Sequence, residues 1–162
     1  MAINPVEIRN GCLLKALRAG QVEAVVHQCN CFHSFGAGIA KDIKRLFPTA
    51  YDADLTTKKG DSEKLGTFSV GTVDYVYELR YVYNLYGQYF NGKGKNRTDY
   101  PALRRGLTAI CVDMIGKGLT KLGLPYMIGC GLAGGNWGTV SSIVQEVADA
   151  FPSLDIYFYR KV

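Results

Sequence analysis

The 162-residue chain contains no apolar stretch approaching the ~20 residues that cross a bilayer, so no membrane partner is expected. Its first residues, MAINPVEIRNGCLL, lack a charged leader followed by a long apolar run, and a secreted form is not expected either. There is no internal repeat. The cysteines (Cys12, Cys29, Cys31, Cys111, Cys130) are an odd set in a chain long enough to build a core without staples. They read as reduced thiols in a cytoplasmic protein. Charge of either sign is not abundant: 19 Lys+Arg against 14 Asp+Glu leave +5, which suits a phosphate-bearing partner without indicating nucleic acid. With 48% hydrophobic and 20% charged residues, the chain is neither disordered nor collagen-like. Its length predicts one domain, residues 1–162.

The patterning alternates strands and helices. A short strand is expected over 6–9, followed by an amphipathic run (Leu13, Leu14, Leu17) that ends at Gly20. VEAVVH, 22–27, has the near-continuous apolar character of a strand covered on both faces. Ile39, Ile43, Leu46 and Phe47 recur at helical spacing, Pro48 marks a break, and 51–59 reads as a further short helix. Residues 65–73 and 80–86 read as paired strands rich in β-branched and aromatic side chains. Helices are expected over 100–115 and 139–151, with strands over 126–129 and 154–159. The fold class is therefore α/β, with a mixed central sheet between helical layers. The polar stretch 91–98 (NGKGKNRT) reads as a loop.

Two glycine-rich segments carry the chemistry. Gly129-Cys130-Gly131-Leu132-Ala133-Gly134-Gly135-Asn136-Trp137-Gly138 lies between a strand and a helix and holds five glycines in ten residues. Such a loop lets backbone approach a ligand, and free N–H groups near a helix start favour an anion. A plain tight turn is the alternative, and the glycine density weighs against it. Gly129, Gly131 and Gly134 spell G-x-G-x-x-G, yet they open the last βα unit rather than the first, and no acidic residue follows at a strand end. No Gly-Lys-Ser/Thr follows, so a Walker loop is excluded too. The second segment runs from His27 through Gln28, Cys29, Asn30, Cys31, Phe32, His33, Ser34 and Phe35 to Gly36-Ala37-Gly38-Ile39-Ala40. Two such loops at strand C-termini imply a crevice with anion-binding walls.

His27, Cys29, Cys31 and His33 alternate, but same-face strand residues sit about 6.6 Å apart, too far to close a tetrahedral site locally. No metal and no cofactor are expected. Tyr75, Tyr77, Tyr81, Tyr83, Tyr86, Tyr89 and Phe90 precede Lys93, Lys95 and Arg97. Aromatics interleaved with base could stack on single-stranded nucleic acid. Cross-strand pairing in a hairpin accounts for them better, so no nucleic-acid partner is expected.

These loops, in this order, resemble the macrodomain, an ADP-ribose-binding α/β/α fold. The branch most resembled holds ADP-ribose 1''-phosphate phosphatases and related glutamate-ADP-ribose hydrolases. The resemblance rests on Cys29-Asn30-Cys31 with Gly36-Ala37-Gly38-Ile39-Ala40, Asn84-Leu85-Tyr86-Gly87-Gln88, Tyr100-Pro101-Ala102-Leu103, and Ile128-Gly129-Cys130-Gly131-Leu132-Ala133-Gly134-Gly135. It implies that Asn30, Ser34, Phe35, Gly36, Ala37, Gly38 and Ile39 wrap a distal ribose. It also implies that Met127, Ile128, Gly129, Cys130, Gly131, Leu132, Ala133, Gly134, Gly135 and Asn136 serve the diphosphate. Leu13 and Tyr159 would then lie against adenine. The implied partners are ADP-ribose or ADP-ribose 1''-phosphate, and ADP-ribosylated macromolecules. The implied activity is hydrolysis of the 1''-phosphate, with Asn30 orienting the ribose and His33 protonating the leaving oxygen. A reader that binds without turnover is the alternative.

Departures from that pattern are equally plain. Cys12 stands where many relatives carry an Asp for the adenine amine. Gly87 or Gln88 and Ala133 stand where the glutamate-ADP-ribose hydrolases carry Lys and Asp, so a lysine adduct is not expected. Asn136 replaces an Asp, and an amide cannot take a proton as a carboxylate can.

Overall fold

The computed structural model describes residues 5–91 and 97–162. Lys93 and Lys95, and most of the loop expected over 91–98, lie outside the described residues. The elements are β1 (Glu7–Asn10), α1 (Leu13–Ala19), β2 (Ala24–Cys29), α2 (Gly38–Leu46), α3 (Pro48–Leu55), a 3₁₀ turn (Ser62–Lys64), β3 (Phe68–Tyr75), β4 (Glu78–Tyr86), α4 (Tyr100–Gly116), β5 (Lys121–Pro125), α5 (Trp137–Ala150) and β6 (Asp155–Arg160). The strands form one sheet in the order β1-β6-β5-β2-β4-β3. All neighbours are parallel except β3 and β4, which pair antiparallel from Phe68↔Leu85 to Tyr75↔Glu78. This is the expected three-layer α/β/α architecture with a mixed sheet.

The continuous apolar run of β2 follows from its central position, because a period of two sends its side chains into two cores. Ala24 and Val26 join Tyr83, Leu85, Leu122, Leu124 and Phe158 beneath α4 and α5. Val25 and Cys29 join Val82 and Tyr86 beneath α1, α2 and α3. At the closest approach of the second layer, a Cβ on Gly71 would lie 2.5 Å from the backbone nitrogen of Ala50. Glycine is required there for contact, not for conformation. The last turn of α1 is held by Arg80, whose Nη1 donates to the carbonyls of Leu17 (2.8 Å) and Arg18 (2.7 Å). A cation at a helix C-terminus also suits the helix dipole.

Pro48 marks the expected break: α2 ends at Leu46, and Pro48 occupies the first position of α3, where its missing N–H costs nothing. Two sequence expectations shift. Helix α3 covers Pro48–Leu55 rather than 51–59. The strand expected over 126–129 is a turn, and β5 is Lys121–Pro125 instead. Met127 (φ 63°) and Gly129 (φ 73°) take left-handed conformations there, which no strand can continue. Gly123 hid the real strand, since a Cβ there would lie 2.5 Å from Leu13 Cδ1.

A polar chain crosses the α3-side layer. Tyr86 Oη donates to Asp54 Oδ1 (2.6 Å) and lies 2.7 Å from Ser69 Oγ. Asn84 Nδ2 donates to Ser69 Oγ (3.0 Å) and to the Ala50 carbonyl (2.8 Å), while its Oδ1 lies 2.7 Å from His27 Nε2. His27 and Asn84 are register partners on adjacent strands, which fixes that last bond. Burial lowers the His27 pKa to about 4, against a smaller raising effect of Asn84. The imidazole is neutral at neutral pH.

Two measurements follow from this packing. Gly71→Ala must push α3 off β3, a strain of about 1–3 kcal/mol, read as a fall in Tm of about 2–4 °C for each kcal/mol. His27 is protonated in the unfolded chain below about pH 6.5 but stays neutral in the fold down to about 4. Its stabilising contribution is therefore complete above pH 6.5 and declines as the pH falls, by about 1.4 kcal/mol per unit within the window. Urea midpoints measured from pH 6.5 to 5 should show that slope, and His27→Gln should flatten it. A wild-type midpoint constant over that range would contradict the assignment.

Candidate functional site

The cleft begins where β2 and β5 part. Their pairing spans only Ala24↔Leu122 and Val25↔Gly123. Beyond it the chain leaving β2 turns to α2 on one face of the sheet, and the chain leaving β5 turns to α5 on the other. A crevice at such a switch point is where open α/β sheets bind ligands.

Two confluent cavities fill this crevice, about 490 and 560 Å³ in volume. Gly38, Ile39, Pro125, Tyr126 and Met127 line both and form the junction. The deeper cavity reaches His27, Gln28, Asn30, Ser34, Gln88 and Asn91, with Gly129, Gly131, Leu132 and Ala133 as one wall. The outer cavity reaches Cys12, Leu13, Leu14, Asp42, Tyr159, Arg160 and Lys161. Among the described residues no Asp, Glu, Lys or Arg lines the deeper cavity.

Backbone makes the middle of the cleft. In the second loop the N–H groups of Cys130, Gly134 and Gly135 are used internally, on the carbonyls of Met127, Gly131 and Gly129. Those bonds hold the loop's shape. The N–H groups of Gly129, Gly131, Leu132 and Ala133 bond to no other described residue, so they remain donors for an anion. Opposite them, Gly36 to Ala40 line the deeper cavity at the start of α2, where the first N–H groups of a helix lack internal acceptors. Among the described residues, the two non-glycine positions with left-handed backbones, His33 (φ 59°) and Met127 (φ 63°), sit one in each loop.

Most of the expected ligand residues come together here: Asn30, Ser34, Gly36, Ala37, Gly38, Ile39, Met127, Ile128, Gly129, Gly131, Leu132 and Ala133 line the deeper cavity, and Leu13 and Tyr159 the outer one. Asn30 also shapes its own loop, accepting from Phe32 N–H (2.8 Å) and donating to the Ser34 carbonyl (3.2 Å).

Other expected residues stand behind the wall. Phe35 is buried edge-on against His27 (5.1 Å) and Tyr51 (5.2 Å). Cys130 packs toward the α4–α5 core, where burial raises its pKa. Gly134 and Gly135 close the loop, and Asn136 caps α5 through Oδ1 to Thr139 N–H (3.0 Å). His33 lines neither cavity. The left-handed turn at its backbone accompanies a ring whose Nε2 lies 2.8 Å from the Thr57 carbonyl. The general-acid role expected of His33 is therefore not met by its placement.

The alternating His/Cys set also diverges. Cys29 Sγ meets His27 Nε2 at 3.4 Å, Cys31 Sγ turns to the Gln88 carbonyl, and His33 turns to Thr57. Burial raises the pKa of both thiols, so they are protonated near neutrality. Of the aromatic series, Tyr83 and Tyr86 are fully buried, and only the hairpin-tip Tyr77 and Phe90 are largely exposed.

Sequence reasoning passed over Gln28, Asn91, Tyr126 and Asp42. The available signal for Gln28 was a second polar residue, beside His27, near the end of a mostly apolar strand. Asp42 and Tyr126 gave none, since each also reads as an ordinary helix-surface or strand residue.

Comparison with known proteins accords with this geometry. An uncharacterized 17.5 kDa protein in the tk-vs intergenic region of Enterobacteria phage T4 is 35% identical over 134 residues, 80% of this chain and 79% of that protein. ADP-ribose glycohydrolase OARD1 of Bos taurus is 30% identical over 130 residues, 80% of this chain and 77% of that protein. The solved macrodomain of Thermus aquaticus DarG superposes with a TM-score of 0.76 at 22% identity, covering 96% of this chain and 98% of that one. The Macro domain family matches residues 26–144, which include both glycine-rich loops, and the chain belongs to that family.

Proposed function

We propose that the cleft binds ADP-ribose and that the protein hydrolyses an ADP-ribose derivative, most directly the phosphate monoester of ADP-ribose 1''-phosphate. One observation carries the reading: the order of chemistry along the two cavities. Leu13 and Tyr159 offer apolar surface in the outer cavity, and Tyr126 stands at the junction. Past the junction, free backbone N–H groups share the other cavity with the neutral amides and hydroxyl of Gln28, Asn30, Gln88, Asn91 and Ser34. Base, diphosphate and polyol succeed one another in the same order along ADP-ribose. The glycohydrolase OARD1, with a name that states an ADP-ribose substrate, supports the hydrolase class.

Hydrolysis of the monoester forms a P–O bond to water and breaks the bond to the C1'' oxygen, which leaves as a hydroxyl after gaining a proton. The neutral lining of the deeper cavity supplies no ionised side chain for this among the described residues. His27 is neutral and held by Asn84, and the neighbouring thiols are protonated. The substrate's own phosphate, with a second pKa near 6, is then the base nearest the water. Protein groups orient: Asn30 fixes the sugar and the glycine loop fixes the diphosphate. The same neutral lining favours a second reading, a binder that retains ADP-ribose without turning anything over.

Incubation with ADP-ribose 1''-phosphate should release inorganic phosphate and ADP-ribose in equal amounts. Binding with no phosphate release would remove the phosphatase, and calorimetry showing no heat with millimolar ADP-ribose would remove the reader as well. Asn30→Ala should weaken ADP-ribose binding about tenfold and lower turnover with it, because the side chain serves ground and transition states alike. Unchanged affinity in that variant would take Asn30 out of the site.

A further inference from the structure

The charged side chains of the cleft stand at the end where ADP-ribose itself is neutral. Among the described residues the deeper cavity has no Asp, Glu, Lys or Arg in its lining, so backbone N–H groups alone meet the diphosphate there. The outer cavity is lined by Asp42, Arg160 and Lys161. Asp42 Oδ1 lies 3.5 Å from Arg45 Nη2 on the same helix, which meets its charge. Two cations are left at the end assigned to adenine and its ribose, which carry no charge to match them.

Arg160 is held in place. It closes β6 as the register partner of Asn10 on β1. Its carbonyl accepts from Gly11 N–H (2.9 Å), and its Nε donates to Asn10 Oδ1 (3.1 Å). Its Cζ lies 5.4 Å from the centre of the Tyr126 ring. Tyr126 lines both cavities, so the guanidinium stands beside their junction. Among the described residues no hydrogen bond or ion pair engages its two Nη nitrogens. Lys161 follows directly and extends the positive edge.

In ADP-ribose the first ribose links adenine to the diphosphate. With adenine against Leu13 and Tyr159 and the diphosphate past the junction, that ribose passes Tyr126 and Arg160. Its O2' and O3' are neighbours on the ring, and either can carry a further phosphate. A monoester there bears a charge of about −1.5 to −2 at neutral pH. An Arg fork and an adjacent ammonium complement it. We propose that Arg160 and Lys161 form a subsite for a phosphomonoester on the adenosine ribose, so that the cleft prefers ADP-ribose phosphorylated at O2' or O3' to ADP-ribose itself. The inference rests on the ADP-ribose reading. The 2' isomer derives from phosphorylated nicotinamide dinucleotides and the 3' isomer from adenosine 3'-phosphates.

Titration calorimetry at low ionic strength with ADP-ribose, its 2'-phosphate and its 3'-phosphate tests this. Wild type should bind at least one phosphorylated form about fivefold more tightly than ADP-ribose, the sum of two exposed charge pairs. The tighter isomer identifies the source. The excess should close toward one at about 1 M salt. It should also vanish in Arg160→Gln/Lys161→Gln, where both substituted side chains are exposed. Phosphorylated forms that bind no more tightly than ADP-ribose would overturn the proposal and leave the ADP-ribose reading standing. A preference that survives the double substitution, including an equal loss for all three ligands, would overturn it too, because the cations would then serve another part of the ligand. If the double variant does not fold, a wild-type preference unchanged by salt has the same force. Wild type that binds none of the three would instead bring down the ADP-ribose reading, and this inference with it.

Discussion

The parting of β2 from β5 after two paired residues is the constraint on which the site depends. Parallel strands that stay paired leave no room between their ends. Here the hydrogen-bonding stops at Val25 and Gly123, while both strands continue outward. Each then feeds a helix on the opposite face of the sheet, so the two exits diverge and cannot refill the gap. Gly123 contributes twice, because its missing side chain also admits Leu13 from α1 to the floor of the outer cavity.

Holding such a gap open needs rigid lips, and the structure supplies them with polar bonds rather than bulk. On the α3 side the series Asp54, Tyr86, Ser69, Asn84 and His27 links helix to strand end without a charged contact at the cleft. On the α4 side Thr98 ties the Gly129 carbonyl to Gln28, and Arg97 N–H reaches the Ala133 carbonyl. The result is a neutral, hydrogen-bonded floor beneath a wall of main-chain donors. In low dielectric a fixed dipole interacts strongly with an anion and suffers none of the desolvation that a buried Lys or Arg would.

The sequence made the layers legible because period-two and helical stripes are strong in β2, β4, α4 and α5. It also made both glycine-rich loops legible, since glycine density between a strand and a helix has few other uses. What it concealed was direction. Nothing local says that His33 turns to Thr57, because the turn depends on a left-handed backbone that glycine, not histidine, usually signals. Nothing local says that Tyr126 and Met127 leave the sheet, since YMIG is as apolar as any strand. Pro48 read as an interruption and is one, but whether a proline only ends one helix or also begins the next is not local information. Gln28 and Gln88 acquire meaning only as a pair, sixty positions apart.

A cleft lined at its centre by main chain has a consequence for small-molecule design. The free N–H groups of Gly129, Gly131, Leu132 and Ala133 are the same chemical group whatever the residue type, so a compound anchored there has little with which to tell one relative from another. Among substitutions only proline removes such a donor, so resistance by point mutation has few routes there. Selectivity has to come from the two ends, where side chains return: the amides of Gln28 and Gln88 inside, and Cys12, Asp42 and Arg160 outside. A scaffold spanning the cleft would draw its affinity from the middle and its discrimination from those ends.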